Sequence, residues 1–362
     1  MRLLPSPIQE YLHRLYKQSE CREHQLLYLF CEITKQCNCA CRHCGSDCSS
    51  KSDFHALTTA SWVSIFEDIA NSFTPAPAIV LTGGEPVLHT DFRLVIETLN
   101  RLHFKWGIVS NGYSLDERCI DLLLLNGLYS ITISLDGTEH NHNWLRGKPD
   151  SYKKALQSIR LLSKQDIPYK DVVTCVHPGN IGELDDIARV LIDNGANNWR
   201  LFRIFPAGRA KGNRELLLSV AETRKMLDWI ASRKAALRKT GLDVNLSCEG
   251  WLPFSSDTKV RDQPFFCRAG INIASILCDG TLTGCSNNSP LFFEGNILRD
   301  NLAYTWENRF QKFRTRPWLK DSDCAKCDSL KNCQGSSIHL WREHLKYPEF
   351  CYKECYKEPV LK

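Results

Sequence analysis

At 362 residues the chain is longer than a single hydrophobic core usually grows, so two domains are expected. Hydrophobic residues at 43% and charged residues at 24% are ordinary for a water-soluble globular protein. The net charge of +5 comes with no Lys/Arg stripe, so no nucleic-acid partner is expected. No apolar run approaches the roughly 18 residues of a membrane span, and the start, MRLLPSPIQEYLHRLYKQ, is broken by prolines and charges. Neither a membrane association nor a signal peptide is therefore expected, and the cytoplasm is the expected compartment.

A helical segment is expected over 1–25, too short for a domain of its own. From 26 to 215 short β-rich runs alternate with amphipathic stretches. The runs are LLYLFCEIT (26–34), AIVLTGG (78–84), FKWGIVSNG (104–112), YSITISLDG (129–137), YKDVVTCVH (169–177) and NWRLFRIFP (198–206). Among the helical stretches, TTASWVSIFEDIANSF and DSYKKALQSIRLLSKQ stand out. The second carries Ala155, Ile159 and Leu162 on one face, with Asp150 as the expected N-cap. Six strands alternating with helices predict a parallel sheet, doubly wound or partly closed as a barrel, with its chemistry at the C-terminal strand ends. The distinctive short motifs fall at those ends: TGGEP (82–86), SNG (110–112), SLDG (134–137) and FPAGRA (205–210). A linker helix is expected within 216–245. Beyond it, 246–362 is rich in cysteine, glycine and aromatics but lacks long periodicity, so it is expected to be stapled by metal rather than by a large apolar core.

The 18 cysteines are clustered, seven of them between Cys21 and Cys48 and nine between Cys248 and Cys355. Without a secretory signal, such thiols read as metal ligands before disulfides. In CNCACRHC (37–44), Cys37, Cys41 and Cys44 form C-x3-C-x2-C directly after the first strand. Three thiolates can hold three irons of a [4Fe–4S] cluster and leave the fourth iron free for an outside ligand. The spacing also admits a zinc site built from Cys41, Cys44, Cys48 and His43.

CNCACRHC after a strand, followed in order by LTGGEP, SNG, SLDG and GRA, resembles the radical S-adenosylmethionine superfamily over about 25–215. The resemblance implies a partial (β/α)6 TIM-like barrel. In it Cys37, Cys41 and Cys44 hold the catalytic cluster, and S-adenosylmethionine chelates the open iron. It further implies that His43 packs near the adenine and that Gly83, Gly84 and Glu85 meet the methionine amino group. Ser110, Asn111, Ser134 and Asp136 would line the ribose and carboxylate, and Arg146 would pair with the carboxylate. Reductive cleavage would yield a 5′-deoxyadenosyl radical that abstracts hydrogen from substrate, with electrons from a partner such as flavodoxin or ferredoxin. Cys39, inside the x3 gap, is expected to be a bystander.

At the back, Cys267, Gly280 and Cys285 give C-x12-G-x4-C, and Cys324, Cys327 and Cys333 give C-x2-C-x5-C, with Cys351 and Cys355 beyond. This resembles the SPASM extension, a C-terminal cysteine-rich iron–sulfur domain with up to two auxiliary [4Fe–4S] clusters. One position departs: Ser337 stands where the family carries a cysteine that reaches back to the first auxiliary cluster. The second set is then complete with Cys351 or Cys355. The first, on Cys267 and Cys285, needs Cys248, Cys278 or a spare tail cysteine. A zinc site on Cys324, Cys327 and Cys333 with His339 or Cys351 is the other reading. The resemblance implies a peptide or protein substrate and a ribosomal-peptide maturase that forms crosslinks or thioethers, or epimerises. Epimerisation would need a thiol such as Cys175 to return hydrogen. A sulfatase-maturase-like oxidase is an alternative, weakened by Ser286 where that group has aspartate. A non-catalytic iron–sulfur or zinc scaffold is the remaining class.

Overall fold

The computed structural model describes residues 6–50 and 56–356. All six expected strands form, each within a few residues of its run: β1 (Tyr28–Thr34), β2 (Ala78–Gly83), β3 (Trp106–Ser110), β4 (Leu128–Ser134), β5 (Tyr169–Val176) and β6 (Asn198–Arg203). They pair in parallel in chain order. The buried apolar residues of the strands recur at every second position, one face of the sheet packing into the core. In β1, Leu29, Cys31 and Ile33 are all fully buried.

Four strands escape the sequence reading. After the linker helix, β7 (Asp243–Leu246) extends the parallel sheet beyond β6. On the other edge β8 (Ile273–Ile276) pairs in parallel with β1, followed by antiparallel β9 (Thr281–Thr283) and β10 (Phe293–Asn296). The sheet therefore has ten strands in the order β10-β9-β8-β1-β2-β3-β4-β5-β6-β7. The residues that follow the linker helix supply strands to both edges of the barrel sheet.

The helices follow their local signals in most places. The first, α1 (Ser6–Glu23), matches the expected N-terminal segment, and α2 (Thr59–Ser72) starts where the Thr58 hydroxyl accepts from the Ser61 amide. In α6 (Ser151–Ser163), Ala155, Ile159 and Leu162 are buried as the spacing predicts. Its cap differs from expectation. Asp150 stands at the N-cap position but makes no capping bond, because its carboxylate instead accepts from the Tyr113 hydroxyl at 2.8 Å. The linker helix, α8 (Val220–Lys239), begins with a capping box of Ser219 and Glu222.

The C-terminal region also corrects its expectation of a weak core. Trp306, Phe310, Phe313, Trp318 and Trp341 are buried and continuous with the apolar core of the barrel. Phe313 is the hinge of this packing: side chains on Gly270 and Gly284 would both collide with its ring. Replacing Phe313 with alanine should cost about 3–5 kcal/mol, read as a lower urea midpoint. A cost below about 1 kcal/mol would mean this region does not share the barrel's core.

Candidate active site

The glycines of TGGEP act through close approach. Gly83 has φ +130, and a side chain on it would collide with the Thr34 carbonyl oxygen, while one on Gly84 would collide with that of Gln36. The amides of Gly84 and Glu85 donate to Thr34 and Gln36 at 2.8 and 2.9 Å. The end of β2 is thus laid against the residues that lead into Cys37.

Four anchors fix the loop that follows. Cys37 donates its amide to Ser49 at 2.8 Å, and Ala40 and Arg42 donate to Arg146 and Leu145 at the end of α5 (Glu139–Arg146). Arg209, in the GRA turn, donates to the carbonyls of Cys41 (2.7 Å) and Cys48 (2.8 Å) and pairs with Asp47. Gly208 lies so near the Cys44 carbonyl that no side chain fits there. Sequence reasoning noted GRA as a motif, but only the geometry shows that Arg209 clamps the loop.

Five thiols gather here: Cys37, Cys39, Cys41, Cys48 and, partly buried, Cys44. Their protonation separates them. A hydrogen bond from Cys39 lowers Cys41 to about 7 and also lowers Cys37, while one from Cys48 lowers Cys44 to about 6. Cys39 and Cys48, as the donors, are pushed well above the ordinary thiol range. The lowered thiols are those of the C-x3-C-x2-C positions and the raised ones are Cys39 and Cys48, a direction that suits metal ligation by the first three. His43 does not join Cys48. Its side chain lies within 4.8 Å of Asp136 and Cys175, so the zinc set is not assembled.

Around these thiols the predicted strand-end residues converge. Asn111 donates to Asn38 at 2.8 Å and approaches Cys37 Sγ at 3.8 Å, and Arg146 approaches Cys41 Sγ at 3.7 Å. Arg146 is held by the buried Asp136 at 2.6 Å, and Asp136 also accepts from the Cys175 amide at 2.8 Å. Burial pushes the Asp136 carboxyl up, but the Arg146 charge, His43, His142 and the Cys175 amide together outweigh it and hold Asp136 at about 2. Both Glu85 oxygens are engaged, by Ser110 Oγ at 2.7 Å and the Asn111 amide at 2.8 Å, which ties the end of β2 to the end of β3. Ser134 ends β4, buried. Among the described residues His43 Nδ1, His142 Nε2 and His177 Nε2 are buried without hydrogen-bond partners, polar atoms suited to a polar cofactor.

The rear thiols divide into two sets. Burial and then neighbouring thiol charge raise the pKa of Cys324 and Cys333, and in both the Cys351 thiol is the first of those neighbours. Cys327 is also felt by Cys324, so Cys324, Cys327, Cys333 and Cys351 make one set. Cys355 is buried beside the Val220 carbonyl at 3.9 Å, in the apolar core. His339 packs against Phe205, ring centres 4.7 Å apart, which sets aside His339 but not Cys351 as the fourth member of a zinc site. The other set is Cys267 and Cys285 with Cys248, whose thiol is raised by burial and then by the charges of those two. Cys278 is buried, its carbonyl accepting from Leu57 and its backbone bonding Glu32. Glu32 stands between front and rear: its carboxylate accepts from Ser46 at 3.1 Å and, raised to about 7 by burial, is felt by Cys285.

The donor sets fit iron–sulfur clusters, and the family models agree. Residues 31–191 match the model of the radical SAM superfamily, and residues 267–328 match SPASM, an iron–sulfur cluster-binding domain. The chain belongs to the radical S-adenosylmethionine superfamily. It is an enzyme of that superfamily with a SPASM domain, and its cofactors are S-adenosylmethionine and [4Fe–4S] clusters, which sets aside the scaffold reading. Among relatives, an AdoMet-dependent heme synthase of Oleidesulfovibrio alaskensis is 24% identical over 91% of this chain and 88% of that protein. The sporulation killing factor maturation protein SkfB of Bacillus subtilis is 27% identical over 75% of this chain and 62% of its own length. Among solved structures, Streptococcus suis SuiB bound to S-adenosylmethionine superposes with TM-score 0.71 at 15% identity, covering 94% of this chain and 80% of SuiB. Native anSMEcpe with bound AdoMet gives TM-score 0.71 at 18% identity, covering 91% and 96%. These two likenesses establish the partial-barrel fold of this radical enzyme. Among the described residues no helix is long and apolar enough to cross a membrane.

Proposed function

We propose that this radical enzyme modifies a peptide, forming a crosslink or thioether or inverting a stereocentre, as a ribosomal-peptide maturase does. When bound, S-adenosylmethionine and the cluster at Cys37, Cys41 and Cys44 supply a hydrogen-abstracting radical. The chain's own residues position that chemistry. Gly83 and Gly84 bring backbone against the thiol loop, Asn111 and Arg146 offer donors beside Cys37 and Cys41, and Arg209 holds the loop's shape. The observation that carries the reading is Glu32, placed so that the front loop and the Cys285 set lie on either side of one buried side chain. Forming a new bond from a substrate radical requires loss of one further electron, and a rear site this near the front one suits an acceptor. A reductant such as flavodoxin or ferredoxin would supply the first electron.

The relatives support the substrate class: SkfB is named as a maturation protein, and SuiB has been crystallised with its precursor peptide SuiA. A sulfatase-maturase-like oxidase fits less well, since Ser286 has no carboxylate to act as base. A second reading, action on a tetrapyrrole, is favoured by the heme synthases that align with nearly the whole chain. Anaerobic incubation of the reconstituted enzyme with a short peptide encoded beside its gene, followed by mass spectrometry, tests the proposal. A mass loss of about two hydrogens or an inverted residue is expected. An unchanged peptide, with turnover of a tetrapyrrole instead, would remove the peptide reading.

The rear set makes a separate prediction. Cys351→Ser should lower the iron content by about four per chain, whereas Cys355→Ser should leave it unchanged. Equal losses in both would reassign the last ligand.

A further inference from the structure

Ser337 leaves the first rear set one cysteine short of the family pattern, and two features of the fold bear on how this chain completes it. Cys248 lies outside the matched SPASM segment and 19 residues before Cys267, so no spacing links them. The fold does. Arg261 donates to the carbonyls of Ser247 (3.1 Å) and Gly250 (3.0 Å), and so grips the loop on both sides of Cys248. The same guanidinium pairs with Asp257, which accepts from the Phe265 amide at 2.6 Å, two residues before Cys267. Cys248 itself is exposed, so its thiol is free to take a ligand.

Ser337 is brought to the same loop. Gln334, Gly335 and Ser336 all have positive φ, and this left-handed run turns the chain sharply after Cys333. Arg316 fixes the turn through the carbonyls of Gln334 and Ser336 (2.5 and 2.7 Å). Ser336 Oγ then accepts from the Trp251 amide at 2.9 Å, three residues after Cys248. Ser337 is fully buried and its hydroxyl has no hydrogen-bond partner among the described residues. A buried hydroxyl without a partner is unfavourable, so a group that accepts or coordinates it is needed there.

We infer that Cys248, Cys267 and Cys285 hold the first auxiliary cluster through three thiolates, and that Ser337 offers an oxygen at the fourth iron. Oxygen is a poorer partner than sulfur for iron in such a cluster, so this position exchanges for an added thiolate where a fourth cysteine would not. The inference rests on the chain holding two auxiliary clusters and is independent of the substrate's identity.

The test uses the full chain carrying Cys37→Ser, Cys41→Ser and Cys44→Ser, reconstituted anaerobically, so that only auxiliary irons are counted and no turnover is read. About eight irons are expected in this parent, about four after adding Cys248→Ser, and about eight after adding Cys278→Ser instead. Four irons in the parent, eight after Cys248→Ser, or a loss with Cys278→Ser would each overturn the assignment. Adding Ser337→Cys should keep about eight irons, change the electron paramagnetic resonance spectrum of the reduced protein, and abolish the change that added L-cysteine causes in the parent. An unaltered spectrum, or the same response to L-cysteine in both proteins, would remove Ser337 from the fourth position.

Discussion

Cys41→Ser should abolish both the front cluster and the formation of 5′-deoxyadenosine, while Cys39→Ser should retain both, with cleavage within a few-fold of the parent. The expected loss in the first case is complete within detection, because a hydroxyl is a poor iron ligand and two remaining thiolates do not hold a [4Fe–4S] cluster. The structure makes this pair of variants a sharp comparison. Both thiols are buried, both lie in the same group, and they share a hydrogen bond. They differ in role: Cys41 is the acceptor and is lowered to about 7, and its carbonyl is held by Arg209 at 2.7 Å. Cys39 is the donor, pushed far above the usual thiol range. Iron content and 5′-deoxyadenosine yield check the outcome. If the two variants behave alike, the ligand register is not 37, 41 and 44.

Asp136→Ala should be the most damaging change that removes no thiol. Asp136 is fully buried, and its ion pair with Arg146 is its strongest stabilising partner. Removing it leaves a guanidinium uncompensated in the barrel interior, which costs about 3–5 kcal/mol. It also frees the group that stands 3.7 Å from Cys41 Sγ and the helix end that receives the Ala40 and Arg42 amides. Stability and cofactor binding should therefore fall together, in a urea titration and in the affinity for S-adenosylmethionine. Asp136 is held at about 2, well below its ordinary value, so its contribution is present above about pH 4 and is lost as pH falls toward 2. A stability change under about 1 kcal/mol would show that Arg146 finds another partner or leaves the interior.

Much of the site was legible because its signals are local. Six β-rich runs gave their strands within a few residues, since each places buried apolar residues at every second position, a pattern that is local in sequence. The front thiols that the structure gathers were legible for a similar reason, Cys37, Cys39, Cys41 and Cys44 lying within eight residues on one loop. What stayed hidden depends on contacts between distant segments. β7 and β8 are four residues long, and each is defined by the edge strand it joins rather than by its own pattern. Trp306, Phe310 and Phe313 follow a helical spacing, but helix breaks and loops around them conceal that they share a core with the barrel. Cys248 carries no spacing signal at all, and its loop is tied to the segment before Cys267 through Arg261 and Asp257, a contact between distant segments. Asp150 failed as a cap because a tertiary partner, Tyr113, competed for the same carboxylate.

The most direct measurement of the account is hydrogen transfer from substrate to cofactor. The reconstituted enzyme would be reduced anaerobically with S-adenosylmethionine and a peptide encoded beside its gene, synthesised with deuterated residues. Deuterium should appear in 5′-deoxyadenosine, one atom per turnover, together with a modified peptide. 5′-Deoxyadenosine that forms freely yet carries no deuterium, whichever residues are labelled, would contradict a peptide as the source of the abstracted hydrogen.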